Sequence, residues 1–99
     1  MTMAPAPAQL DGAKLVAYAL LSERAKPTGR TVHLSDDEIL PTPAALAICQ
    51  YGGGGDYYLF YCDSEWCVLT DTLHTSESEA KRQAEFEFEG IGAQWQRAA

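Results

Sequence analysis

The chain has 99 residues, 46% of them hydrophobic, and a formal charge of −7, enough for one small core and too little for a second domain. No apolar run approaches the roughly 18 residues of a membrane span, and the longest, residues 15–21, lacks the basic flank and cleavage pattern of a signal peptide, so a cytoplasmic protein with no membrane attachment is expected. So acidic a surface repels phosphates, which argues against nucleic acid as the direct partner and favours a basic protein, because opposed fields speed association.

Residues 1–10 are rich in Ala and Pro and have no periodicity, which predicts a disordered tail ahead of a single domain over residues 11–99. Residues 15–21 are apolar all round. A helix there would need burial on every side, so the stretch is predicted as a buried strand. Pro27 and Gly29 mark a loop, residues 31–34 a short strand, and Ser35-Asp36-Asp37-Glu38 a solvated turn, while Pro41 and Pro43 forbid regular ladder pairing. Residues 44–51 read as another strand, joined to the next through Gly52 to Gly55 as a hairpin. Asp56-Tyr57-Tyr58 follows these glycines, where a phosphate-cradling loop needs a helix and a Lys-Ser/Thr pair. The acidic turn likewise lacks the spacing and glycine of a calcium loop.

From Tyr57 to Cys62 the residues are aromatic strand formers, Asp63-Ser64-Glu65 is turn chemistry, and residues 66–73 return as a β-branched and aromatic strand. Ser76 and Glu79 then form a capping box that starts a helix near Glu77, and Gly90 marks its end. The expected fold is α+β: an antiparallel sheet of four or five strands, the last three in meander order, with one C-terminal helix packed across a face.

On the helical wheel Ala80, Ala84, Phe88 and Ile91 form the stripe that packs on the sheet, and Phe86 falls on the opposite side. Glu85, Glu87 and Glu89 crowd the negative end of the helix dipole, where Lys or Arg is preferred, with Arg97 as one source of compensation. A charge run is usually a solvated face. An exposed aromatic rimmed by charge is interface anatomy, however, and it makes Phe86, Glu85, Glu87 and Glu89 candidate partner-binding residues. By simple alternation one hairpin face carries Tyr58, Phe60, Cys62, Cys67 and Leu69, and the other Tyr57, Leu59, Tyr61, Trp66, Val68, Thr70 and Thr72. The second, with Tyr57, Tyr61 and Trp66, is the expected open face, unless the N-terminal segment, the loop over residues 35–43 or a second copy of the chain covers it.

Cys62, Cys67 and His74, with His33 as a fourth ligand, have zinc-type residue chemistry, but alternation puts His74 on the other face from Cys67. Two buried thiols are the simpler expectation, and three cysteines without a secretory signal favour the reduced form. A catalytic set of cysteine, histidine and Asp71 is available by residue type, yet no nucleophile sits at a strand-to-helix elbow. His74 and Asp71 are expected to hold the corner before the helix by local bonding. No cofactor is implied.

The block Tyr57-Tyr58-Leu59-Phe60-Tyr61-Cys62-Asp63, Trp66, Thr70-Asp71-Thr72, His74 and Gln83-Ala84-Glu85-Phe86-Glu87-Phe88-Glu89-Gly90 resembles a family of small, uncharacterised bacterial proteins. The likeness covers about the last third firmly and Thr28-Gly29-Arg30-Thr31 with His33 more loosely. It implies fold and carries no activity, cofactor or partner, and the family pattern has Asn where this chain has Cys67. The expected function is a non-enzymatic, acidic, protein-binding domain, most concretely an immunity- or antitoxin-like inhibitor of a basic protein. The alternative is a small enzyme or metal-binding protein using Cys62, Asp71 and His74.

Overall fold

The computed structural model describes residues 4–21, 26–28, 34–35, 38–39, 42–52 and 55–98. The expected strand over residues 31–34 with its His33, and the Asp36-Asp37 turn, lie wholly or largely outside them. Strand β1 (Gln9–Leu10) turns through Asp11 and Gly12, both at positive φ, into β2 (Ala13–Leu20). An Asp-Gly pair suits this two-residue hairpin because its turn needs left-handed backbone twice. Two short strands follow, β3 (Lys26–Pro27) and β4 (Leu34–Ser35), and β4 pairs with β5 (Glu38–Ile39). Strands β6 (Ala45–Gln50), β7 (Tyr57–Cys62) and β8 (Val68–His74) form the expected meander.

The main sheet is antiparallel, in the order β1-β2-β6-β7-β8. After helix α1 (Glu77–Glu87), the chain forms β9 (Phe88–Glu89), which pairs with β3, and β10 (Gln96–Arg97), which joins the free side of β2. Among the described residues the regular structure is thus mostly strand, with one α-helix towards the C-terminus. No helix among the described residues is long and apolar enough to cross a membrane.

Residues 15–21, predicted as strand, lie almost wholly in β2, and the adjacent β6 is buried along nearly its whole length because both faces of the sheet are covered. Beneath the helix, Ala80, Ala84, Phe88 and Ile91 pack with Leu46, Ile48, Leu59 and Tyr61. On the opposite face, Leu10, Leu15, Phe60, Cys62 and Trp66 form a second core, with Ala4 and Ala6 packed against it.

Several expectations change here. Residues 4–10 are not a free tail: Ala4 N–H donates to the Ser64 carbonyl at 3.1 Å, its own carbonyl accepts from Trp66 Nε1 at 2.8 Å, and Leu10 is buried. The Tyr61 face is not open but lies under the helix, and Trp66 belongs to the other face. The shift of Trp66 comes from a β-bulge: Tyr61 pairs with Thr70 and Cys62 with Val68, so the extra Leu69 reverses the alternation of the β8 residues before it, while the Tyr61 face keeps its alternation and is the one the helix covers. Trp66 itself adopts φ 65°, closing the Asp63 turn, where Trp66 N–H donates to the Asp63 carbonyl at 3.1 Å.

Candidate functional site

The helix begins as its cap chemistry requires. Ser76 accepts from Glu79 N–H at 3.1 Å, and Glu79 reaches back to Thr75, accepting from its N–H at 3.3 Å and its hydroxyl at 2.9 Å. These Thr75 bonds hold the Glu79 carboxyl below its ordinary range. Arg97 does not offset the acidic C-terminus. It pairs instead with Glu77 in the first turn, alongside Lys81 at 2.9 Å, and Lys81 is the main reason the Glu77 carboxyl is also lowered.

At the other end, Thr28 caps the helix from far away in sequence. Its hydroxyl donates to the Phe86 carbonyl at 2.8 Å and the Glu87 carbonyl at 3.1 Å, and its N–H donates to Glu87 at 2.7 Å. The helix ends at Glu87, three residues before Gly90, and the following Phe88–Glu89 is strand, so the Glu-Phe alternation does become extended at its end.

Glu87 leaves the list of exposed partner-binding residues: it is 3% exposed and accepts from the Tyr61 phenol and from Gln83 Nε2 at 2.9 Å. Tyr61 is 1% exposed and Trp66 7%, so neither can form part of an open face, and Tyr57 packs against the helix-side core. Tyr61 also bonds Thr72, whose hydroxyl lies 2.7 Å from His74 Nε2, and His74 Nδ1 stands 3.4 Å from Glu79. Four links thus join the Glu79 and Glu87 carboxylates through His74, Thr72 and Tyr61. A neutral imidazole leaves three protons to fill them, and the doubly protonated ring fills all four.

Glu79, His74 and Thr72 stand in the order of a nucleophilic triad, but the Thr72 hydroxyl is also bonded to Tyr61 in the layer between sheet and helix. The arrangement therefore serves as a clamp between them. The set of Cys62, Asp71 and His74 is not brought together. Asp71 pairs with Phe60 and Cys62 lies in the second core, whereas His74 pairs with Tyr57 on the helix side. Cys67 is exposed and does not share the burial of Cys62. Among the described residues no group of three or more His, Cys, Asp and Glu is placed to hold a metal ion.

What reaches the surface is a cleft where the end of β8 meets the helix, lined by Leu73, His74, Glu79, Arg82, Gln83 and Phe86. Leu73 is 55% and Phe86 46% exposed, and they are two of the three large hydrophobic side chains exposed among the described residues. A second, acidic cleft lies around the same helix end, lined by Thr28, Glu85, Glu89, Gly90, Gly92 and Ala93. Phe86 and Glu85 are exposed on the helix, and Glu89 is exposed in β9. Leu73 went unrecognised because strand alternation assigns it a face without showing that the face ends at a sheet edge. Comparison with protein-family models, curated proteins and solved structures finds no match to the chain.

Proposed function

We propose that this is a non-enzymatic, acidic binding domain whose helix-end surface receives a basic protein, in the manner of an immunity- or antitoxin-like inhibitor. The observation that carries the reading is the half-exposed Phe86 in the cleft where the end of β8 meets the helix, with Glu85 and Glu89 lining the acidic cleft at the same helix end. An apolar centre with a charged rim fits a docking surface, and the rim sets the on-rate and the choice of partner. The net charge of −7 gives the partner's sign.

The test is affinity capture from the source cell, followed by rate measurements on the purified captured protein. Wild type retains a basic protein. Glu85→Lys with Glu89→Lys abolishes retention, chiefly by slowing association, and Phe86→Ala weakens it while the domain stays folded. Capture of nothing basic, or unfolding of Phe86→Ala, overturns the reading.

A further inference from the structure

The geometry points to strand addition: the basic partner lays an extended segment along the outer edge of β8, up to the cleft at the helix end where Phe86 is exposed. This rests on the helix-end reading above and gives it a binding mode. The two sheet edges are treated differently. The outer side of β2 is taken twice, by β1 at Ala13 and Lys14 and by β10 at Ala17 and Tyr18, with Ala98 N–H donating to the Val16 carbonyl at 3.0 Å between them. Strand β8 ends the sheet on the other side, and among the described residues no strand pairs with its outer edge.

An edge strand presents a row of backbone donors and acceptors, and proteins usually blunt such edges with Lys, Pro or short length. Strand β8 has seven residues and contains no Lys, Arg or Pro. Its bulge lies at Leu69, leaving Thr70 to His74 in regular register with β7. The edge leads at Leu73 and His74 into the cleft where Phe86 is exposed.

Charge decides the occupant. Asp71 is exposed on the strand, Glu79 lies in the cleft, and Glu85 and Glu89 line the acidic cleft at the same helix end, against Arg82 as the one Lys or Arg lining the first cleft among the described residues. A second copy fits poorly: two-fold antiparallel pairing centred on Asp71 sets two carboxylates directly opposite, between chains of charge −7 each. A basic extended segment meets the same edge with complementary charge and supplies the backbone bonds.

The probe is a peptide of about nine residues alternating Lys and Val, compared with the same peptide N-methylated at every second residue, which keeps the charge but cannot pair along one edge. Each is titrated into the full chain and followed by backbone amide shifts and hydrogen exchange. Strand addition predicts shifts and slowed exchange over residues 70–74, binding about tenfold or more weaker for the N-methylated peptide, and loss of binding in Asp71→Lys. Equal affinity for the two peptides overturns it, as does failure of the unmethylated peptide to bind. Shifts confined to Phe86, Glu85 and Glu89 overturn strand addition while leaving the basic-partner surface standing. A free-protein dimer with protected β8 amides assigns the edge to a second copy and overturns it as well.

Discussion

The Tyr61 phenol donates to the Glu87 carboxylate beneath the helix, tying the centre of the sheet to the last turn of α1. Both residues are buried, so the carboxylate depends on protein donors for what water would otherwise provide. Tyr61→Phe removes one of them and should cost about 1–3 kcal/mol in denaturant melts. Combining it with Glu87→Leu should cost less than the sum of the single changes, because the second removes the charge that the first leaves short of a donor. Strict additivity in that cycle would mean the two groups do not depend on each other.

Alkaline pH should unfold the domain in steps that trace its buried acids. Burial pushes the Cys49 and Cys62 thiols up to about 12 from an ordinary 9.0, and burial followed by the Glu87 bond raises the Tyr61 phenol. Each is a group whose folded-state value is raised, so its stabilisation is full below about pH 9 for the thiols and is lost as pH climbs towards about 12. The slope should reach about 1.4 kcal/mol per pH unit for each proton released on unfolding. Thiol labelling near neutral pH supplies the second readout: Cys67 reacts in the native protein, and Cys49 and Cys62 only on unfolding. A flat stability profile through this range, or three thiols reactive in the native state, would contradict the buried placement.

The frame of the helix was legible because its signals are local: Ser76 and Glu79 cap it, and the alanine stripe marks its inner face. Glu87 was misread as an exposed partner-binding residue, although it falls three residues after Ala84 on that stripe, where a carboxylate demands a buried partner. The Asp11-Gly12 pair is an equally local hairpin signal, and it turns residues 4–10 back over the sheet. The Leu69 bulge was not legible, because one inserted residue leaves no mark in composition yet moves Trp66 and Val68 to the other face. Nor was Thr28, which caps the helix across a sequence separation that no local rule spans. Phe86 and Glu85 are exposed at the helix end as helical periodicity places them, and Glu89 is exposed in the strand beyond it. The open face was misread at Tyr61, which the helix covers, and at Trp66, where strand register decided.

The cap gives a graded test of the helix start. Ser76→Ala should cost about 1 kcal/mol, because the Glu79 N–H loses its acceptor at the cap itself. Thr75→Ala removes a hydroxyl bond to an exposed Glu79 and leaves the backbone contact in place, so it should cost less. Denaturant melts showing the reverse order would place the functional cap at Thr75.

Trp66 provides the sharpest separation of backbone from side chain. Its φ of 65° is a left-handed conformation that costs a residue with a Cβ about 1–2 kcal/mol and costs glycine almost nothing. The side chain holds it there: the ring is buried, meets Tyr18 edge-on at 5.7 Å, and donates from Nε1 to Ala4. Trp66→Ala loses that packing and retains the backbone strain, whereas Trp66→Gly loses the same packing and relieves the strain. The glycine variant should therefore be the more stable of the two by about 1 kcal/mol, the reverse of the order in ordinary helix or strand positions. Both should release residues 4–10 to early proteolysis, because Ala4 loses its indole donor and the second core loses its largest ring. If the alanine variant is the more stable, position 66 is not left-handed in solution, and the Asp63 turn must close by another geometry.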